Sequence, residues 1–567
     1  MSKHFRWQVI ITLLGIALLG SLLAYLAFTF ATVIVPDVGG TYVEGLAGDS
    51  RYINPILCQY NQVDRDLCSL IFNGLTKLNE RGEVIPDLAE RWEISDDGLV
   101  YTFHLRHDVR WHDKEPFSAD DVVFTAQAMQ DTGYRGALYL AELWRSVEVV
   151  KVNSHTVELT LREPFAPFLD YTTIGILPAH LLADVPAESL PNDPFNRHPI
   201  GTGLFQVEEV TAEHALLQAN PLFYGPQPYL NKIEFRFYPN HESVLSAYEQ
   251  GEVQGISRVL PQDLPEVEAN SGLRLFSARL TSYTLIFLNL KDPAVPFFQE
   301  KLVRQALLHA IDRQELVDRV LKGQGLVAHS PILWGTWAYD NGVVKYEYDL
   351  ERARDLLTEA GWRTPTHLSA IVGDTGGEDN ESVREKAGVR LAFTLLTDDD
   401  PLHVELVKEI ARQWEAIGVQ ATLQMISSGL VREFLHPREF EALLIDLELH
   451  GDPDPYPLWH STQASGEGQN YAGFVNYEVD KLLEEARCTT DSGRRAELYH
   501  RFQEIFADEV PSLLLYYPIY TYAVDKKVKG VQLGPLGDPS DRFRNVTEWY
   551  IVTKRVIIGQ ASQSPRE

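Results

Sequence analysis

Between Phe393 and Leu449 the apolar residues change period repeatedly, and this succession constrains the fold more than any other feature of the chain. Phe393–Leu396 reads as a strand, Leu402–Ile417 as an amphipathic helix and Val419–Met425 as a second strand. Leu443–Leu449 reads as a buried strand that runs into a proline-rich turn. Strands alternating with helices predict an α/β lobe. At 567 residues the chain exceeds one ordinary core and should hold about two or three domains.

The charge balance excludes one class of partner. With 50 basic and 80 acidic residues the net charge is -30, a surface that repels phosphate backbones, so no nucleic-acid partner is expected. The 25 Tyr, 25 Phe and 10 Trp suit either an aromatic-lined cleft or large aromatic cores, and both readings stay open.

From Val9 to Val35 no side chain is charged, a run longer than the roughly 20 residues that span a bilayer. Lys3, His4 and Arg6 precede it and no basic cluster follows, which places the N-terminus in the cytoplasm and the rest outside. The run exceeds the about 7–15 apolar residues of a cleavable signal and no A-x-A site follows, so an uncleaved anchor is favoured over an exported, cleaved form. Three cysteines are too few for a disulfide scaffold; Cys58 and Cys68 have a spacing that allows pairing, and Cys488 is expected to be buried and inert.

Along the remainder, Asp64–Leu75 is expected to be a helix closed by Gly74. Asp96-Asp97-Gly98 is a hairpin turn signal, followed by alternation of Tyr101, Phe103 and Leu105 with polar residues. Ser118-Ala119-Asp120-Asp121 forms a capping box before a helix over Val122–Met129. Strands are expected at Val147–Val152 and Thr156–Leu161. A long helix is expected from near Pro296, restarting at Asp312 and Glu315, and another over Arg352–Ala360. Residues Gly373–Gly388 read as a polar surface insertion.

Catalytic signatures are mostly missing. No G-x-S-x-G, P-loop or C-x-x-C occurs, and His241-Glu242 is followed by Leu245 where a zincin needs its second histidine. His104, His107 and His112 lie close enough in sequence to suggest a transition metal, but strand parity puts His104 on the solvent face, so no metal site is assigned. The segment LLIDLELHGDPDPYPLW (Leu443–Trp459) gathers Asp446, Glu448, His450, Asp452 and Asp454. Its proline spacing does not fit a calcium loop. Asp446 and Glu448 would share one strand face, a spacing a hydrolase could use, and the alternative is a buried strand with a stiff turn.

Several segments in fixed order decide between these readings. PDLAERWEISDDGLVYTFHLRHDVRWHD (Pro86–Asp113), SADDVVFT, PIGTGLF (Pro199–Phe205), LVRQALLHAIDRQELV, DLLTEAGW, GDPDPYPLW, VDKLLEEAR and VPSLLLYYP all occur in one series. The series closely resembles the family 5 extracytoplasmic solute-binding proteins of ABC importers, of the dipeptide and oligopeptide type, over nearly the whole chain from about Gly40 to Tyr550.

The resemblance implies an α/β, two-lobed periplasmic-binding-protein clamp (type II, cluster C) with an extra domain, behind the N-terminal transmembrane helix. Residues 1–38 would be the tip, anchor and linker; 39–78, 199–280 and 511–555 the first lobe; 79–198 the extra domain; and 281–510 the second lobe. It further implies a monomer on the outer face of the bacterial membrane that captures peptide and passes it to permease subunits with their ATPases. No catalysis and no cofactor is implied.

In peptide-binding members an acidic residue two places before the GDPD glycine takes the ligand ammonium, and here that place is Leu449, with Glu448 and Asp446 nearby. The arginine that dipeptide-type members place ahead of the Leu402–Ile417 helix is replaced by Thr397, Asp398, Asp399 and Asp400. Candidate ligand contacts are therefore Gln59, Trp337, Thr397, Asp398, Asp446, Glu448, Leu449 and Trp459. Longer peptides or another solute (a metal chelate, oligosaccharide or signalling molecule) remain open, with a hydrolase using Asp446 and Glu448 as the remote alternative.

Overall fold

Every residue of the Ser282–Leu288 strand is buried, because the strand lies in the interior of a 12-stranded sheet with helices on both faces. The computed structural model describes residues 3–79, 82–365, 383–427, 430–449, 451–466 and 468–557, without the side chains of 3–6, 8, 24 and 26–31. One end of the sheet runs Gln420–Ile426, Ala392–Asp398, Ala442–Glu448 and Ser282–Leu288. The other runs Gly255–Ile256, Thr41–Ala47, Lys232–Tyr238, His214–Ala219 and Phe205–Val210.

Between them lies Ser512–Asp525, a strand of 14 residues that serves both ends. Ser512–Tyr516 pairs with Ser282–Leu288, and Ile519–Asp525 pairs with Leu273–Arg279. The chain therefore passes between two lobes at Leu280-Thr281 and again along this strand.

Helix cover explains the apolar runs. In the second lobe one face of the sheet buries Phe298, Leu307, Leu406 and Trp414, and the opposite face buries Tyr283, Trp459, Tyr499 and Phe502. Strands closed on both sides have no solvent face to mark with polar residues. Full burial of a side chain such as Leu285 contributes about 1.5–3 kcal/mol, and its truncation to Ala would cost about 2–5 kcal/mol.

In the first lobe the core of Tyr42, Ile71, Phe235 and Trp549 continues into the 79–198 segment through Phe103, Trp111 and Trp144. That segment carries a four-stranded antiparallel sheet in the order Ala89–Ile94, Val100–Leu105, Thr156–Leu161 and Val147–Asn153. Gly98 takes the positive φ of 70° that the hairpin turn needs. Tyr101, Phe103 and Leu105 point inward, and the Ser118–Asp121 capping box forms with both of its hydrogen bonds.

Several expectations need correction. The second helix spans Gln62–Ile71 and stops at Phe72, so Gly74 does not cap it. A Cβ at Gly74 would lie 2.5 Å from the Thr173 carbonyl oxygen, so glycine is needed there for close backbone approach. Pro296–Gln299 is a 3-10 turn and the α-helix begins only at Lys301. Cys488 is exposed, not buried, because it falls on the outer side of the Tyr477–Cys488 helix end; Cys58 and Cys68 are buried free thiols.

Residues 373–382 of the expected Gly373–Gly388 insertion and His450 lie outside the described residues. His104, His107 and His112 are engaged separately, with Glu93 (3.3 Å), the His155 ring (3.9 Å) and the Gly203 carbonyl (3.1 Å). Residues Lys3–Ala31 form a helix of 29 residues. Among the described residues, however, no helix is long and apolar enough to cross a membrane, so the fold does not support the expected anchor.

Candidate ligand cleft

In open α/β sheets ligands lie beyond the carboxyl ends of the parallel strands. Ala392–Asp398 runs parallel to Gln420–Ile426 and Ala442–Glu448, so its end delivers Asp398, and Ala442–Glu448 delivers Asp446 and Glu448. In the first lobe Thr41–Ala47 runs parallel to Gly255–Ile256, and the chain then turns at Ser257 and Arg258. This turn is pinned by Ser257 N–H donating to Gly45 O (3.2 Å) and Val259 N–H to Thr521 O (2.8 Å). The two sets of strand ends meet where Ser512–Asp525 crosses.

Asp446 and Glu448 are both exposed and share a strand face, as their spacing predicts. Thr284, opposite Asp446 in register, donates its hydroxyl to Asp446 Oδ1. His403, on the Pro401–Glu415 helix, places Nδ1 at 2.7 Å from Asp398 Oδ1 and Nε2 at 3.4 Å from Asp446 Oδ2. Burial disfavours the charged imidazole, but the hydrogen bonds to Asp398 and Asp446 and their charges outweigh it and push the His403 pKa up to about 10. Although part of the Asp446 side chain is exposed, the protein packed around its carboxylate desolvates it and works against its charge; His403, the Thr284 hydroxyl and the charge of Arg258 more than offset this and hold its pKa below the usual value. Asp400 caps the same helix by accepting from Leu402 N–H (2.8 Å), which explains an acidic residue at that place.

Farther along the cleft, Arg65 of the Gln62–Ile71 helix lies 3.9 Å from Glu448 Oε1 and 2.7 Å from Asp538 Oδ2. Arg432 of the second lobe lies over the Tyr60 ring of the first, 4.1 Å from its centroid. Gln59 sits beside Tyr60, half-buried, and donates from Nε2 to Pro55 O at 2.6 Å. Leu449 donates its N–H to Thr281 O (2.7 Å), next to the lobe crossing, and its side chain packs on the second-lobe core.

The remaining candidates go elsewhere. Trp459 and Thr397 have no exposed surface, the first packed against Phe506 (4.7 Å) and the second against the strand carrying Leu444, so neither can touch a ligand from where it lies. Trp337 is 44% exposed and covers Arg495 at 5.0 Å.

The other acids of the GDPD segment are consumed by arginines. Asp452 holds Arg495 (2.5 Å) and Asp454 holds Arg487 (2.7 Å). Gly451, at a φ of 60°, faces Asp170, whose side chain a Cβ there would meet at 2.6 Å. His403, Arg65 and Arg258 were not singled out from sequence. The one local signal was the histidine two residues after the helix-starting proline.

The model for bacterial extracellular solute-binding proteins, family 5 Middle, matches residues 83–469. The chain belongs to that family. Oligopeptide-binding protein AppA of Bacillus subtilis is 30% identical over 530 residues, covering 91% of this chain and 92% of its own. The structure of AppA in complex with a nonapeptide superposes with a TM-score of 0.74 at 28% identity, covering 91% of this chain and all (100%) of that one.

The dipeptide-binding protein of Escherichia coli is 28% identical over 491 residues, covering 82% of this chain and 86% of its own. NikZ of Campylobacter jejuni, solved with Ni(L-His), gives a TM-score of 0.74 at 27% identity over 90% of this chain and 99% of that one. This family 5 protein thus has the two-lobed α/β binding-protein fold along nearly its full length.

Proposed function

We propose that this protein is the extracytoplasmic solute-binding component of an ABC importer and that its solute is a peptide. What carries the reading is the facing of Asp446 and Glu448 of one lobe with Arg258 and Arg65 of the other, in a chain related over its length to AppA, whose structure holds a nonapeptide. A zwitterionic ligand between the lobes completes charge pairs that solvent otherwise screens. Contacts to both lobes exist only when they are closed, so ligand shifts the population toward the closed form. A permease with its ATPases then reads that form.

The lobes divide at Leu280-Thr281 and along Ser512–Asp525, with 79–198 as an extra domain on the first. The protein works as a monomer. The place of action is outside the cytoplasm, a location that the family of extracellular solute-binding proteins supports.

A hydrolase using Asp446 and Glu448 fits less well. A general acid needs a raised pKa, whereas that of Asp446 is lowered. A non-peptide solute is the second reading, favoured by one observation: Leu449 offers no carboxylate where an ammonium would be held, and no cation stands at 397–400. Native mass spectrometry of the purified protein, followed by calorimetry with peptide mixtures, tests both. Saturable one-to-one peptide binding without turnover is expected. A co-purifying non-peptide mass with no heat from any peptide would replace the peptide reading.

A further inference from the structure

The 79–198 segment makes its own contact with the second lobe. Ala166 N–H donates to Arg487 O at 2.9 Å, and the Arg487 guanidinium lies over the Phe165 ring, 5.1 Å from its centroid. The hairpin tip follows the same seam, where a Cβ on Gly98 would lie 4.0 Å from Thr490 Cγ2. Asp170 packs against Gly451 so closely that a Cβ there would sit 2.6 Å from the Asp170 Cβ and 2.7 Å from its Oδ1. Only glycine permits that approach. Phe168, two residues before Asp170, is buried in the core that the segment shares with the first lobe. The segment therefore moves with the first lobe. When the lobes part, these contacts break and Asp170 returns to water.

The charges at the seam leave Asp170 without compensation. On the second-lobe side it faces Asp452 and Arg495, and its neighbour Tyr171 faces Asp454 and Arg487. Each of those carboxylates already holds one of the guanidiniums, at 2.5 and 2.7 Å. Asp170 has no ion pair of its own among the described residues. A carboxylate moved out of water toward another, with no free cation beside it, favours its neutral form. Its pKa in the closed protein is accordingly pushed up to about 7, by burial first and by the Asp452 charge second.

We propose that this seam is a proton-linked latch: the lobes close with Asp170 neutral, taking one proton from solvent, so that closure and solute retention strengthen as pH falls. The proposal rests on the capture of solute between two lobes read above and adds its regulation. In water Asp170 titrates near 3.8, and in the closed seam near 7. The advantage of the closed form is thus complete below about pH 3.8 and is lost as pH rises through about 7.

Small-angle scattering of the ligand-free full chain at about pH 5.5 and about pH 8 provides the test. The native protein should have the smaller radius of gyration at the lower pH. Asp170→Asn keeps the side-chain shape without its charge and should stay compact at both. Calorimetry with nona-alanine gives a reading that needs no variant. Near pH 5.5 binding should take up about one proton, seen as a dependence of the heat on the ionisation enthalpy of the buffer. Between the two pH values the native affinity should also fall by about tenfold or more beyond any fall in Asp170→Asn. A native radius indifferent to pH overturns the latch and leaves the peptide reading intact. So does binding without proton uptake, or a pH response that survives in Asp170→Asn through His450 or any other group. No heat at either pH overturns the peptide reading alone, because the scattering comparison needs no ligand.

Discussion

Arg65 and Glu448 face each other across the cleft at 3.9 Å, the arginine on a first-lobe helix and the glutamate at the end of a second-lobe strand. The Glu448 side chain is 57% exposed and Arg65 already holds Asp538, so the pair contributes only about 0.2–1 kcal/mol. A weak contact suits a closure that must reverse. Glu448→Gln should shift the ligand-free protein toward the open form by a factor of up to about five. Small-angle scattering at low salt reads this as a larger radius of gyration; an unchanged radius would refute a role in closure.

The Asp398–His403–Asp446 set predicts a pH dependence. The His403 pKa is about 10 in the folded protein, above its unfolded value of about 6.5. Its contribution is therefore complete below about pH 6.5 and is lost as pH rises through about 10. His403→Gln should destabilise the protein by on the order of 2–4 kcal/mol at neutral pH and by little above pH 10. Urea denaturation of both proteins across that range checks this, and equal destabilisation at both ends would contradict it.

Arg542 is buried between Glu44 (2.6 Å) and Asp66 (2.6 Å) in the first lobe. Tyr42 and Tyr522 complete the group by donating hydroxyls to Glu44 Oε2 at 2.7 and 2.6 Å. Removing the cation leaves two buried carboxylates uncompensated, so Arg542→Met should cost about 3–5 kcal/mol. Replacing all partners by apolar groups would cost less. Denaturant midpoints measure the loss, and a value under about 1 kcal/mol would show that the network contributes little.

Asp170 has a pKa pushed up to about 7, first by burial and then by the Asp452 charge. The folded protein binds its proton more tightly than the unfolded chain, so this group's contribution falls as pH rises from about 3.8 through about 7. Asp170→Asn should therefore stabilise the protein more at pH 8 than at pH 5. Thermal melts at the two values decide it: a gain that does not grow with pH would mean that Asp170 is not strained by ionisation.

Period and turn chemistry are local properties, and what depended on them was legible. The hairpin at Gly98, the capping box at Ser118 and the alternation of Tyr101, Phe103 and Leu105 are written within a few residues each. The helix stops at Ile71 with Phe72 as its cap, whereas local pattern puts its end at Gly74. Glycine there answers to a distant backbone, that of Thr173, which no local pattern reveals.

The acidic cluster around GDPD shows the division most clearly. By itself the sequence predicts a strand over Leu443–Leu449 with Asp446 and Glu448 on one face and a stiff turn after it, because strand parity needs only neighbours; the strand forms over Ala442–Glu448. Only the tertiary structure decided which acids stay available. Asp452 and Asp454 are neutralised by Arg495 and Arg487, which lie 43 and 33 residues away on other helices, whereas Asp446 and Glu448 remain exposed to the cleft. Trp459 went into the core by the same logic. Charge pairing and burial depend on what the folded chain brings alongside, and nothing in a local stretch encodes that partner.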